Sequence, residues 1–232
     1  GIPALTKSFS WTKIWLDNLT KYFFTSPYLD STIISRLPLF IFPKETTPSI
    51  SDTTAGFEGF LDGLRDVGVE IYDRTNDPSI EAYEQVFAEM PELWRTLYRF
   101  EFQWPMLQYK ERYPEQIPPR LLMGLKEAEG LSQAEYREAL NRRVRVRDLH
   151  RQISLRADAI ITLSSPGPGP VGMDQGSAVF NEGSSVVGMP ALSLPLMSVD
   201  SVPVGIQILG QFDQDERLTA IGRWLSEDHF NS

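Results

Sequence analysis

The chain has 232 residues, of which 41% are hydrophobic and 23% charged, so it can bury a substantial core in one large domain or two small ones. Its formal net charge of -9 opposes binding to phosphate backbones and argues against a nucleic-acid partner. The absence of cysteine excludes disulfides, thiol nucleophiles and cysteine-ligated metals, and leaves the cytoplasm as the default location.

The first 35 residues match no pattern that assigns them a role. Residues 9–42 are rich in apolar and aromatic side chains, but five charged residues interrupt any run long enough to cross a bilayer. These are Lys13, Asp17, Lys21, Asp30 and Arg36. A signal-peptide pattern is also lacking, so we expect no membrane association. The chain opens at Gly1 rather than at methionine, as a processed or truncated protein does.

A strand, a helix and a second strand are predicted between residues 37 and 71. The apolar run 37–42 reads as a strand, and Ser51 or Asp52 can cap the helix that follows. Four apolar residues recur on one face of that helix at spacings of three and four: Phe57, Phe60, Leu61 and Leu64. Gly68 is placed to end the helix before an extended segment. This order favours parallel strands covered by helices.

Helices dominate the middle of the chain. Residues 78–113 have a helical pattern with a break at Pro91, and a proline-containing connector follows at 114–119. Another helix is predicted from about Ser132 to Leu155. It starts at a capping box formed by Ser132 and Glu135, and its fourfold stripe is Tyr136, Leu140 and Val144.

The helix predicted at 132–155 carries the chain's one basic cluster. It consists of Arg142, Arg143, Arg145, Arg147 and Arg151. Apolar residues alternate with these arginines and acidic residues adjoin them, which favours the solvated face of an amphipathic helix over a nucleic-acid surface.

Short strands and a glycine-proline loop follow residue 158. Residues 159–163 read as a strand, and residues 164–172 form the loop. Residues 191–196 and 203–209 read as two strands joined by a turn near Asp200 and Ser201. A closing helix is predicted from Asp213 or Asp215. Its buried face comprises Leu218, Ile221, Trp224 and Leu225.

The loop does not support nucleotide binding. Gly167, Gly169 and Gly172 have the spacing of a dinucleotide fingerprint. However, Pro168 and Pro170 remove amide donors that would face a pyrophosphate, and no amphipathic helix begins directly after the loop. We therefore expect no cofactor.

No self-contained active site can be assembled from this sequence. Ser184 sits in a glycine-flanked stretch, but a serine nucleophile needs a base. His150 lies in the arginine-rich helix and His229 beside the terminus, and no glycine-x-serine-x-glycine elbow occurs. The two histidines do not have the spacing of a histidine-pair metal motif. We expect no catalytic residue and no metal in this chain.

The last third of the chain closely resembles the amidase signature family. The resemblance rests on Ala157-Asp158-Ala159-Ile160-Ile161-Thr162, the loop 166–170, Phe180-Asn181, and the blocks 188–195 and 202–210. These agree in order and spacing with the family's C-terminal block over residues 156–226. Residues 48–71 resemble its middle region less specifically. We therefore divide the chain into an unassigned segment, 1–35, and the C-terminal part of an amidase-like α/β domain, 36–232.

The resemblance implies a mixed β-sheet flanked by helices and hydrolysis of an amide through a serine acyl-enzyme. The family uses a lysine and two serines from its N-terminal half, in a long glycine- and serine-rich signature. No such stretch occurs here. The resemblance thus implies an incomplete fold, inactive alone, whose catalytic half is a missing segment or a partner chain.

A pocket wall is what the family's C-terminal block contributes to the site. The candidate substrate-binding residues are Gly167, Pro168, Met173, Phe180 and Asn181. Turn rigidity and backbone capping explain these residues equally well, and Ser193 is expected to be a satisfied core hydroxyl. Two alternatives to the amidase stay open, namely a non-catalytic amidase-like scaffold and a subunit of an amidotransferase. The possibility of a homo-oligomer also stays open.

Overall fold

A parallel strand pair and the helix between its strands open the described part of the chain. The computed structural model describes residues 36–38, 50–172 and 176–226, all within one compact unit that spans 34–232. Strand β1 (Arg36–Pro38) pairs in parallel with β2 (Glu70–Tyr72), and helix α1 (Ile50–Asp66) connects them. The predicted strand, helix, strand unit is therefore present. Residues 1–35 and Met173 lie outside the described residues.

Helix α1 buries the face that its apolar spacing predicts. Phe57, Phe60, Leu61 and Leu64 all lie in the core. Beyond the helix, Gly68 has a φ of +86°, a left-handed conformation that L side chains rarely adopt. The chain can then turn directly into β2.

Four helices and one 3₁₀ turn follow β2. They are α2 (Pro78–Ala88), α3 (Met90–Arg112), the 3₁₀ turn (Pro114–Gln116), α4 (Pro119–Ala128) and α5 (Gln133–Ser154). The break between α2 and α3 falls at Glu89 and not at the predicted Pro91. A proline is tolerated in the first turn of a helix, because the amide groups there make no hydrogen bond within the helix. Helix α4 is absent from the sequence prediction, although Pro119 is likewise tolerated at its start.

Helix α5 has the predicted capping box, and two of the three predicted stripe residues, Tyr136 and Leu140, pack against the core. The Ser132 hydroxyl accepts from the Glu135 amide, and the Glu135 carboxylate accepts from the Ser132 amide. Val144, predicted in the apolar stripe, is 56% exposed. The buried residues of this helix are Ala139, Val146, His150 and Ile153. Packing against the neighbouring helices decides which residues of α5 are buried, and it leaves Val144 outside the core.

An antiparallel sheet of three strands forms the rest of the fold. Its order is β3 (Ile160–Leu163), β5 (Val202–Leu209) and β4 (Ala191–Val199), with β5 in the centre. Asp200 and Ser201 form the predicted turn, with φ of 51° and 66°. Helices α6 (Val179–Val187) and α7 (Asp215–Ser226) flank the sheet.

Two apolar clusters cover the two faces of this sheet. Alternate strand residues, such as Ile206 and Ile208, pack with α1 and α7. Residues on the opposite face, such as Ile160 and Leu209, pack with α2, α3, α5 and α6. Parallel and antiparallel pairs flanked by helices make this a mixed α/β fold, as predicted. Within the described ranges, no helix is both long and apolar enough to span a bilayer.

Candidate functional site

Two side-chain amides hold the first turn of α6 against the sheet. Asn181 donates from Nδ2 to the carbonyl oxygen of Ser164 at 3.0 Å, just beyond the end of β3. Gln207, which is buried on β5, donates from Nε2 to the carbonyl oxygen of Phe180 at 2.9 Å. Phe180 itself is half-buried against the core. These bonds bring the predicted pair Phe180 and Asn181 to the place where the loop leaves β3.

The loop after β3 lies over the start of α1. Gly167 and Pro168 are half-buried, and the Ser165 hydroxyl donates to the Gly167 carbonyl at 2.6 Å. A Cβ at Gly167 would lie 3.4 Å from Oγ1 of Thr53. Thr53 is fully buried, and its hydroxyl has no hydrogen-bond partner within the described ranges. Buried hydroxyls normally have a hydrogen-bond partner, so the Thr53 hydroxyl is unusual in this contact between α1 and the loop.

Two serine hydroxyls meet above the central strand. Ser164 and Ser193 flank β5 on its two sides, and their Oγ atoms lie 2.5 Å apart. Between them Gly205 has no side chain, and a Cβ there would lie 2.5 Å from both oxygens. The contact therefore requires glycine at 205. Ser193 is exposed, so the expected core hydroxyl is bonded but not buried.

Glu182 is the ionisable group beside Asn181 in the first turn of α6. Partial burial raises the pKa of its carboxyl, and the nearby Arg95 acts in the opposite direction. A carboxylate at this end of a helix is favoured by the free amides of the first turn. Burial, however, works against the charged form of Glu182 at this edge.

The buried residue His150 has a structural role. His150 accepts a hydrogen bond at Nδ1 from the Tyr83 hydroxyl, with 2.8 Å between the atoms. Its Nε2 faces the Gly210 carbonyl at 3.3 Å. A carbonyl can only accept, so the proton of the neutral ring belongs on Nε2. Burial first, and then the charges of Arg147 and Arg151, lower the pKa of His150 to about 4. His150 and Gly210 also line a small cavity of about 10 Å³ between α5 and β3.

The other polar groups that could carry chemistry are engaged elsewhere. The Ser184 hydroxyl is buried and donates to the Asn181 carbonyl within α6. Lys110 and Lys126, the lysines within the described ranges, lie on α3 and α4 instead of on the sheet or the loop. In the same ranges no three His, Cys, Asp or Glu side chains gather as a metal site.

The arginines of α5 are engaged with the protein itself. Ion pairs join Arg142 to Glu89, Arg145 to Glu138 and Arg151 to Asp148. Arg147 donates to the Val187 carbonyl, and its guanidinium lies 4.1 Å from the centre of the Phe212 ring. Three of the five arginines in the cluster therefore have carboxylate partners, which fits a packed helix face.

Comparison with known proteins agrees with this architecture. No family model matches the sequence. The A subunit of glutamyl-tRNA(Gln) amidotransferase from Clostridium botulinum (strain Langeland) is 29% identical over 117 residues, which are 47% of this chain and 24% of the relative. A crystal structure of an amidase covers 83% of the chain with a TM-score of 0.68 and 21% identity. A bacterial aryl acylamidase, described as belonging to the amidase signature enzymes, covers 80% with a TM-score of 0.61 and 15% identity.

The chain shares its fold with amidase signature enzymes. It covers the C-terminal part of the family's fold, as the resemblance predicts. The chain spans 24% of the first curated relative and 45% and 42% of the two solved chains. The identity to the solved structures is low, so they establish the fold of this chain and nothing finer.

Four of the five predicted site residues lie close together in the structure, and their hydrogen-bond partners were not predicted. Gly167, Pro168, Phe180 and Asn181 all lie around the end of β3, whereas Met173 lies outside the described residues. Ser164 and Gln207 were not singled out. A glycine in the interior of a strand signals close approach of other groups, and Gly205 was the available signal for the contact between Ser164 and Ser193.

Proposed function

We propose that this chain forms the C-terminal part of an amide-hydrolysing enzyme, in which it completes the sheet and forms a wall of the substrate pocket. The observation that carries the proposal is the joint match in sequence and fold to amidases and to an amidotransferase subunit. The reaction would follow the serine acyl-enzyme route, with the lysine and two serines on another segment or on a partner chain. The chain itself would bring no cofactor and no metal. A cytoplasmic location remains a prediction.

In this proposal the substrate is a small amide that meets the chain at the end of β3. Gly167 and Pro168 would form one side of the pocket, and Phe180 with Asn181 the other. Met173 belongs to the same predicted set. The clamped first turn of α6 supports this role, because a pocket wall must hold its side chains in place before the substrate arrives.

A serine-reactive fluorophosphonate probe tests whether the nucleophilic serine lies on this chain or on the segment or partner that completes the enzyme. We expect no labelling of the purified chain alone, and labelling of a serine on the segment or partner that completes the enzyme. The completed enzyme should also release ammonia or amine from small amides. Stoichiometric labelling of the purified chain would contradict the absence of a nucleophile. A completed enzyme that hydrolyses no amide would favour a non-catalytic scaffold.

The curated relatives favour one second candidate. They are named amidotransferase subunits, so the chain could belong to a protein that releases ammonia from an amide for a partner enzyme. Glutaminase activity that rises when a second protein is added would distinguish this role from that of a free-standing amidase. In both candidates the chain itself contacts no nucleic acid, and a homo-oligomer remains open.

A further inference from the structure

The contact between Ser164 and Ser193 has the properties of a hydrogen-bonding subsite. One hydroxyl donates to the other over 2.5 Å, so the pair keeps one O–H hydrogen and several lone pairs for a further partner. Ser193 is exposed and Ser164 is half-buried, so solvent reaches the serine pair.

The backbone holds this pair in position. The Ser164 amide donates to the Gly205 carbonyl at 2.8 Å, and the Ser164 carbonyl accepts from Asn181. Ser193 belongs to the regular ladder between β4 and β5, opposite Gln207. Both serines are therefore anchored through the main chain, and Gly205 leaves the space that their side chains share.

The chemistry of the surroundings selects a neutral ligand. Asn181 uses its Nδ2 on the Ser164 carbonyl, which leaves the Oδ1 acceptor. The serine pair offers both a donor and acceptors, but neither serine is charged. A carboxamide carries both N–H donors and a carbonyl acceptor, so it matches this mixture.

We propose that the paired hydroxyls of Ser164 and Ser193, meeting above Gly205, bind a neutral carboxamide group of the substrate. The inference rests on the proposed function, because it names the chemical class that the pocket wall recognises. The two serines are specificity residues for that group and take no part in bond breaking. Half-buried Phe180 lies next to Asn181 along α6 and packs against the core.

Titration of the ¹⁵N-labelled chain with benzamide tests the subsite without any need for hydrolysis. We expect saturable shifts of the Gly205 and Ser193 amide signals. Benzoate and benzylamine, which have the same ring and carry opposite charges, should give no saturable shift at Gly205. Equal binding of benzoate, or no saturable shift with benzamide, would overturn the proposal.

Three variants assign the effect to the hydroxyl pair. Ser193→Ala should weaken benzamide binding roughly 2- to 10-fold, as loss of one neutral hydrogen bond does. Gly205→Ala should weaken it similarly, because a Cβ separates hydroxyls that are still present. Ser198→Ala, on the same strand and also exposed, is the matched control and should bind as the parent chain does. Dispersed amide signals verify that each variant folds, and Ser164→Ala replaces Ser193→Ala if that variant does not fold.

A purely structural role predicts a different result. In that case Ser193→Ala lowers the melting temperature but leaves benzamide affinity unchanged, and the proposal is wrong. Failure of the proposed function is seen separately, in labelling and amide hydrolysis by the completed enzyme. Benzamide binding without hydrolysis would uphold the subsite while removing the proposed reaction.

Discussion

Gly183 of α6 lies directly against the ring of Phe87 on α2. A Cβ at position 183 would lie 2.8 Å from Cδ1 and 2.9 Å from Cζ of that ring, and still closer to Cε1. Real Cβ atoms essentially never approach other heavy atoms to under 3.0 Å. Gly183 is therefore a packing residue that lets α6, with its Asn181 and Phe180, lie close to the helical layer.

Replacement of Gly183 should destabilise the fold. We expect Gly183→Ala to lower the free energy of unfolding by about 1–3 kcal/mol, the range typical of overpacked sites. Urea unfolding followed by circular dichroism measures it. An unchanged unfolding midpoint would mean that Phe87 moves aside at little cost.

Gly59 provides the matched control. It lies inside α1, and a Cβ added to it would meet no heavy atom within 4 Å. Alanine favours helices by about 0.8–1.0 kcal/mol over glycine, so Gly59→Ala should raise the free energy of unfolding by about that amount. The two substitutions are chemically identical, and the opposite signs isolate the contact with Phe87.

His150 should make the fold less stable in mild acid. Its pKa of about 4 lies below the ordinary value of 6.5, with burial as the main cause. As the pH falls from about 6.5 to 4, the unfolded chain takes up a proton that the folded chain refuses. Stability is therefore lost across this window, by up to roughly 3 kcal/mol.

A histidine variant separates this effect from carboxylate titration. His150→Gln keeps a donor and an acceptor between Tyr83 and Gly210 but does not titrate. Its free energy of unfolding should change less between pH 6.5 and 5 than that of the parent chain. Parallel pH profiles for the two proteins would show that His150 does not cause the acid sensitivity.

The buried hydroxyl of Thr53 should be dispensable for stability. Thr53→Val replaces a hydroxyl that has no partner among the described residues by a methyl group of similar shape, which should raise the free energy of unfolding by about 1 kcal/mol. Thr96→Val is the control, since the Thr96 hydroxyl is exposed and donates to the Glu92 carbonyl. A loss of stability in Thr53→Val alone would indicate that the hydroxyl has a partner in solution.

The turn between β4 and β5 offers a stabilising change. Ser201 has a φ of 66°, and left-handed backbone costs an ordinary residue roughly 1–2 kcal/mol. Ser201→Gly creates an Asp-Gly pair, which favours this hairpin geometry. We expect a higher melting temperature. Ser198→Gly, in the strand itself, should lower it, and a lowered value for both would contradict the turn assignment.

Local sequence signals predicted much of the fold. The capping box of Ser132 and Glu135 and the apolar face of α1 depend on neighbours within a few residues, and both are present. Helix α4 was not predicted, because the prolines at its start are typical of a connecting loop. Val144 was misplaced because fourfold spacing is compatible with several faces, and only the packing of α2, α3 and α6 decides which face of α5 is buried.

The site was less predictable, because its contacts join distant parts of the chain. Phe180 and Asn181 were recognised from a local motif. Their bonding partners, Gln207 and the carbonyl of Ser164, lie 27 and 17 residues away in sequence. Ser164 and Ser193 are separated by 29 residues. Nothing in a local pattern specifies that two such hydroxyls meet.

The two-residue link between β4 and β5 also bears on how the sheet assembles. Contacts between neighbours in sequence require little loop-closure entropy, and isolated hairpins form in about 1–10 microseconds. Strand β3 must instead reach β5 across α6 and β4. We therefore expect the hairpin to form before β3 docks, so that the serine pair and the clamp on α6 arise only in the last stage of folding.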